Sequence, residues 1–251
     1  MKIVVASDVQ TMGQQAARDG AAKLRDAIAA RGKANIILAT GSSQFSMLAS
    51  LQNERRIAWQ KVSIFHLDEY VGLPASHPAS FRKYLRDRFI NELPVAPREF
   101  YAIDAETDPV AEAERLSAVI SEAAIDVAFV GIGENGHLAF NDPPADFETE
   151  VPYLVVQLDE ACRQQQLDEG WFPTLEAVPK QAISMSCRQI LKSKSIVCTV
   201  PDRRKAKAVR DAVEGAITPA APASILQRHA DVTLYLDPLA AELLKKSTEK
   251  R

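Results

Sequence analysis

The sequence predicts an α/β fold: a single doubly wound, mainly parallel sheet with helices on both faces. Three observations carry that reading. Short apolar runs alternate along the whole chain with segments of helical period, the pattern of strand-helix-strand units. The runs are apolar at consecutive positions, as in Val127-Ala128-Phe129-Val130, which reads as a buried parallel strand. At two strand ends the chain opens into turns rich in glycine or hydroxyl groups, the places where open α/β sheets hold ligands. The chain has 251 residues, 47% of them hydrophobic, enough to bury a sizeable core. No Gly/Ser linker or charge block divides it, so residues 1–251 are expected to form one domain.

Composition excludes several roles. A formal net charge of −3 leaves no basic surface for nucleic acid or an anionic membrane, and the lysines around Lys205 read as a solvated helix face. Met1-Lys2 leads directly into Ile3-Val4-Val5 without a cleavable apolar leader, and no apolar run is long enough to span a bilayer. A cytoplasmic protein is expected. Cys162, Cys187 and Cys198 are odd in number, widely spaced and without metal-ligand spacing, so they read as reduced, partly buried thiols.

Taken in order, Ile3 to Ala6 is a first strand. Asp8 can cap a long helix with Met12, Ala16, Leu24 and Ile28 on one stripe, closed by Gly32. A second strand, Asn35 to Ala39, runs into Thr40-Gly41-Ser42-Ser43, after which Phe45, Leu48 and Leu51 recur at helical spacing. Backbone N–H groups, hydroxyls and a helix dipole converge there, which suits a phosphate; an ordinary helix cap has the same appearance, and no P-loop or dinucleotide fingerprint is present. The third strand, Val62 to Leu67, ends in Asp68-Glu69-Tyr70. Adjacent strand residues point to opposite sides, so only one of the two carboxylates can serve as a working base. His66 reads as a core histidine. Ser80 caps a basic amphipathic helix from Phe81 that could fold over a site. Phe100 to Ile103 is a short strand and Pro109 to Ala123 a helix. Ile183 to Ser186, Ser195 to Val200 and Val232 to Leu236 are further strands, with a helix from Lys205 to Val213 closed by Gly215 and a turn at Pro219-Ala220-Ala221-Pro222 into a short helix.

The central strand Val127 to Val130 opens into Gly131-Ile132-Gly133-Glu134-Asn135-Gly136-His137-Leu138-Ala139-Phe140-Asn141-Asp142-Pro143-Pro144. Three glycines in six residues allow backbone to approach a ligand, and His137 lies among Asn135, Asn141 and Asp142 as an acid/base cluster. The same stretch would also serve as a plain strand-to-helix turn with a capping asparagine.

With Thr40-Gly41-Ser42-Ser43 and Phe65-His66-Leu67-Asp68-Glu69-Tyr70-Val71-Gly72-Leu73, this loop resembles the three signature segments of the glucosamine-6-phosphate deaminase (isomerase) family, in the family's order. The likeness continues through Val178-Pro179-Lys180 and Arg204-Lys205-Ala206 to Glu214-Gly215. It implies aldose-ketose isomerisation and deamination of an amino-sugar phosphate, with no metal and no organic cofactor. His137, oriented by Asp142 and Asn135, would open the pyranose ring, and Asp68 would carry a proton between C2 and C1. Thr40, Gly41, Ser42, Ser43, Glu69, Gly136 and Lys205 would hold the substrate and its phosphate. The partner implied is a small sugar phosphate, acted on by a monomer or small homo-oligomer.

The chain departs from the family pattern at three places. Asn135 stands where many members have Asp, Asp142 where Glu is common, and Gly170 where an arginine commonly grips the phosphate. Arg163, Arg188, Arg203 and Arg204 are the candidates to replace that arginine, and the Gln-rich segment Cys162 to Phe172 reads either as a remodelled pocket wall or as a surface helix. The chain ends soon after Lys246, without the extended C-terminal segment of allosteric hexameric relatives, so allostery is not expected. The alternative readings are lactone hydrolysis, as in the related 6-phosphogluconolactonases, and a sugar-phosphate-sensing domain without turnover.

Overall fold

A computed structural model describes residues 1–245; the expectation about the chain's end after Lys246 lies outside the described residues. The first strand, β1 (Lys2–Val5), leads to α1 (Val9–Arg31), whose start is fixed as the sequence implies: Asp8 accepts from the Thr11 N–H at 2.7 Å. Gly32, at φ 73°, ends it in the left-handed conformation that a side chain would strain. β2 (Ala34–Leu38) follows, then a 3₁₀ turn at Ser42–Gln44 and α2 (Phe45–Leu51). β3 (Val62–His66), β4 (Asp68–Tyr70), α3 (Phe81–Arg88), β5 (Glu99–Tyr101), α4 (Pro109–Ser121) and β6 (Val127–Val130) bring the chain to its centre. Beyond it lie β7 (Tyr153–Gln157), α5 (Glu160–Asp168), β8 (Gln181–Met185), α6 (Cys187–Leu191), β9 (Ser195–Val200), α7 (Ala206–Glu214) and β10 (Val232–Leu236).

Seven strands form one sheet in the order β1-β10-β9-β6-β2-β3-β5, with every neighbouring pair parallel. Alternate residues of each strand serve opposite faces. Ile36 and Leu38 of β2 pack with Met12, Ala16 and Leu24 of α1 and Met47 and Leu48 of α2. Ile37 faces the other side, with Leu116 and Ile120 of α4 and Val209 of α7. Burial on both faces is why the runs are apolar throughout. Among the described residues no helix is long and apolar enough to cross a membrane.

One expectation is corrected. The run from Val62 to Leu67 reads in sequence as one strand flowing into Asp68-Glu69, yet the chain changes sheets at Leu67. The Leu67 N–H still donates to Leu38 O at 3.3 Å, while its carbonyl accepts from the Met185 N–H at 2.7 Å. From Asp68 onward the chain belongs to a separate three-stranded antiparallel sheet, β4-β8-β7. The strand at 181–185 therefore pairs with β4, and β7 was not anticipated because its residues after Tyr153 are only half-buried. Periodicity reports burial and is blind to which strand a neighbour is. The other strand ends shift by a residue or two, within the fraying of such boundaries.

α1 lies close on the sheet because Gly20 has no side chain: a Cβ there would come within 2.3 Å of the Phe129 ring. Gly20→Ala would gain up to about 1 kcal/mol in helix propensity. It would also overpack a buried site, at a cost of roughly 1–3 kcal/mol. The substitution is expected to be net destabilising, read as a lower urea midpoint at unchanged slope; a raised midpoint would show that α1 can lift off Phe129 freely.

Candidate active site

The carboxyl ends of β2, β3 and β6 open into one cleft, closed on another side by the start of the helical segment after β9. Thr40, Gly41, Ser42 and Ser43 line it. Their turn is held from below by Gln44, fully buried, whose Nε2 donates to Val130 O at 3.2 Å and to Ser43 Oγ at 3.1 Å. The Thr199 hydroxyl donates to Gln44 Oε1 at 3.1 Å. The polar turn is thus tied to β6 and β9, the strands that carry the next two parts of the site.

The Asp68-Glu69 pair divides as the pleat requires. Asp68 lines the cleft and is 7% exposed. Its carboxylate makes no hydrogen bond among the described residues; burial, and then the neighbouring Glu69 charge, push its pKa up to about 8. Glu69 does not line the cleft, which corrects the expectation that it holds substrate. Fully buried, it accepts from Ser80 Oγ at 2.8 Å and from the N–H groups of Arg82, Phe81 and Tyr70 at 2.9, 3.1 and 3.1 Å. It anchors the N-terminus of α3, whose Phe81 forms part of the cleft wall. His66 is a core residue: its Nε2 accepts from the Ile103 N–H at 2.9 Å, and burial lowers its pKa to about 3.

In the glycine loop, His137 lines the cleft with its ring laid over Gly133, where a Cβ would come within 2.2 Å of the imidazole. Asp142 stands behind it, 3.3 Å from Nδ1, which leaves Nε2 on the opposite edge of the ring. Asn135 joins the two: its Nδ2 donates to Asp142 Oδ1 at 3.0 Å and its Oδ1 accepts the His137 N–H at 3.0 Å. Burial works to raise the Asp142 pKa, but the His137 interactions, the Asn135 amide and the Asp159 N–H together bring it below the usual carboxylate value. Neither Asn135 nor Asp142 lines the cleft; both contact His137. Two sequence expectations are corrected here. Asn141 belongs to the scaffold, donating to Leu138 O at 2.6 Å and Met185 O at 2.8 Å. Gly136, at φ 88°, turns away from the cleft and accepts the Ala223 N–H at 2.9 Å.

Lys205 lines the cleft and is 5% exposed. Burial lowers its pKa, opposed by the charges of Glu134 and Glu169; its Nζ is 3.9 Å from Glu134 Oε1. Of the four candidate arginines, Arg163 binds Val178 O, Arg188 pairs with Glu150 and Arg203 with Glu242. Arg204 reaches Glu134 Oε1 at 3.2 Å, the same oxygen that faces Lys205. Both readings of the segment after Cys162 hold in part, since α5 is a helix whose end supplies wall. Gln165, Gln166 and Glu169 line the cleft, with Gln165 Nε2 donating to Glu169 Oε1 at 2.9 Å and Trp171 Nε1 to Glu169 Oε2 at 3.3 Å. Glu134 and Glu169 were not singled out from the sequence; only the cluster of polar residues in a helix facing the Lys205 turn could have signalled them.

The profile of the family described as glucosamine-6-phosphate isomerases/6-phosphogluconolactonase matches residues 7–235. A glucosamine-6-phosphate deaminase of Exiguobacterium sibiricum is 37% identical over 85% of this chain and 82% of that protein. Glucosamine-6-phosphate deaminase 1 of Bacillus subtilis is 34% identical over 97% of this chain and 99% of its own length. A solved monomeric glucosamine-6-phosphate deaminase superposes with a TM-score of 0.88 at 32% identity, covering 97% of this chain and 100% of that one. The 6-phosphogluconolactonase of Trypanosoma brucei reaches 0.80 at 17% identity, over 97% and 98% of the two chains, a likeness of fold alone.

The isolation of Asp68 sets a pH dependence of stability. Its folded pKa, about 8, lies above its ordinary value of 3.8, so the native state retains a proton that the unfolded chain releases. Stability is therefore lost as pH rises from about 4 to about 8. Asp68→Asn, which cannot ionise, is expected to be more stable than the parent by roughly 2–5 kcal/mol above pH 8, the difference shrinking toward pH 4. Urea midpoints at both ends of that range test it, and an equal difference at both would mean that the carboxylate is not held neutral.

Proposed function

The chain belongs to the glucosamine-6-phosphate isomerase/6-phosphogluconolactonase family, and from that premise we propose that it converts glucosamine 6-phosphate and water into fructose 6-phosphate and ammonia. The observation that carries the reading is that Asp68, a buried carboxylate without a hydrogen-bond partner, shares one cleft with His137, while a serine turn and a buried lysine line the same space. The chemistry requires an unengaged base at the sugar's reacting carbons, a proton carrier at the ring oxygen and an anion site at the far end.

His137, held by Asp142 and Asn135, takes the anomeric hydroxyl proton and returns a proton to the ring oxygen, opening the pyranose. Asp68, in the fraction that is ionised, removes the C2 proton and delivers it to C1, so that the aldose becomes a ketose imine; water then adds at C2 and ammonia leaves. Burial of Asp68 favours this transfer, since a base with a raised pKa holds the proton it has taken long enough to hand it on. Thr40 to Ser43, with Lys205, grip the phosphate. Arg204 takes the part left open by Gly170, because it is the arginine that shares a carboxylate oxygen with Lys205. No step calls for a metal or an organic cofactor. A charged sugar phosphate as substrate supports a cytoplasmic location, and the described monomeric relative supports action as a one-domain monomer or small homo-oligomer.

Ammonia release from glucosamine 6-phosphate is the direct test, run beside hydrolysis of 6-phosphogluconolactone. Ammonia is expected; lactone hydrolysis alone would replace the reading with that of the fold's other activity, and binding without turnover would leave a sensing domain. In the active chain Asp68→Asn should lower turnover by about 10²- to 10⁴-fold while leaving ligand affinity nearly intact. Near-normal turnover by that variant would rule out the proton path.

Phosphate binding is tested separately. Lys205→Ala should weaken every phosphorylated ligand by about 10- to 100-fold without altering discrimination between sugars, the loss of a charge-assisted hydrogen bond. Arg204→Ala should weaken them less, by roughly 3- to 10-fold, because the guanidinium is half-exposed. Calorimetric titration with two hexose phosphates measures both, and unchanged affinities would place the phosphate elsewhere.

A further inference from the structure

Behind the imidazole of His137 three unlike donors converge. His137, Asp142 and Cys162 each offer one ligand atom, and these atoms lie within 4.8 Å of one another, the one such group among the described residues. Cys162 has no part in the proton transfers described above. It is 2% exposed, placed in the first turn of α5 by Asp159, whose carboxylate accepts its N–H at 2.6 Å. The Asp142 carboxylate it faces is already oriented by the Asn135 amide at 3.0 Å and the Asp159 N–H at 3.3 Å. Such outer hydrogen bonds are what hold ligands in place around a metal.

A nitrogen, an oxygen and a sulfur together suit a borderline-soft divalent cation and do not suit magnesium or calcium, which take oxygen. Tetrahedral ligands at about 2.0–2.3 Å from zinc stand roughly 3.3–3.8 Å apart, so the group must contract by about 1 Å, within the reach of side-chain rotation at His137 and Cys162. A fourth position would fall to water from the cleft that His137 lines.

We propose that His137, Asp142 and Cys162 form an inhibitory site for a thiophilic divalent cation of the zinc or cadmium class. Binding forms one bond each to sulfur, nitrogen and oxygen, and the thiol proton leaves to solvent; nothing is oxidised or reduced. The cation occupies the imidazole and the carboxylate that ring opening needs, so it stops turnover without excluding the phosphate. The inhibition rests on the deaminase reading, whereas the binding does not.

The full chain, freed of metal by dialysis against a chelator, is titrated with cadmium in the absence of substrate. One cadmium per chain, a thiolate-to-metal absorption band and release of one proton are expected. Cys162→Ser and Cys162→Ala should lose the band, and His137→Gln should weaken cadmium binding while keeping it. In the ammonia assay the parent should be inhibited reversibly by cadmium or zinc and not by magnesium. Cys162→Ser should keep its turnover and need at least about tenfold more cadmium for half-inhibition. A band that persists in Cys162→Ser would assign the thiolate to Cys187 or Cys198, and absence of a band in the parent would remove the site altogether. A band without inhibition would place the cation where catalysis does not need the histidine. Either arm would overturn the proposal, and the absorption arm does so whatever reaction the chain performs.

Discussion

The site depends on where the chain leaves its sheet. At Leu67 the backbone gives its N–H to β2 and its carbonyl to β8, and this one residue hands the chain from the parallel array to the small antiparallel sheet. Because the hand-over falls between His66 and Asp68, the pleat carries His66 into the core, Asp68 into the cleft and Glu69 away from it. A shift of one residue would exchange the two carboxylates. Glu69 then does work of a different kind, since a buried acid that gathers three N–H groups and a hydroxyl can fix α3 in place. Arg82 at its far side is held in turn by Ile103 O and Leu73 O and by Asp104 and Glu106. Neighbouring acids in sequence thus become a chemical group and a structural one.

A similar division sets Asp68, in the cleft, and Asp142, behind His137, apart in acidity. Asp142 is nearly as buried as Asp68, but the imidazole, an amide and a backbone N–H favour its charged form. Asp68 has none of these and faces another acid beside it. On the proposed reading, the carboxylate that orients the imidazole is surrounded by donors, and the one that accepts a proton and gives it up again is left without them.

Much of this was legible in the sequence, and the reasons differ from element to element. Asp8, Gly32 and Ser80 marked helix ends because caps are local hydrogen-bond problems that a few residues solve among themselves. A mainly parallel sheet was legible from burial on both faces, though not which runs belong to it. The small sheet was not, because β4 is three residues long and β7 is half-buried, so neither carries a decisive period. At the site, Asp68, His137, Lys205 and the Thr40–Ser43 turn fall together in the cleft as expected from their segments. Glu69, Gly136 and Asn141 do not, since a motif names residues that travel together and does not say which of them face the ligand and which hold the loop. Glu134 and Glu169 escaped notice because their role is visible only when α5 is folded against the turn before α7.

Those two acids change what the missing arginine means. With Gly170 in its place, the wall beside Lys205 is acidic, and the charges of Glu134 and Glu169 oppose the burial that lowers the lysine's pKa. A phosphate arriving there on the proposed reading becomes a third negative group about a single buried cation. It can be accommodated only if Glu134 and Glu169 give up part of their hold on Lys205, and each already has another partner to turn to: Arg204 for Glu134, Gln165 and Trp171 for Glu169. On that reading the resident carboxylates are counter-ions that the substrate would displace. On the same reading the net attraction for phosphate would be smaller than a bare lysine gives, and what remained would depend on how readily the Gln165–Trp171 wall moves aside, so the segment that departs most from the family pattern would also set how tightly the anion is held.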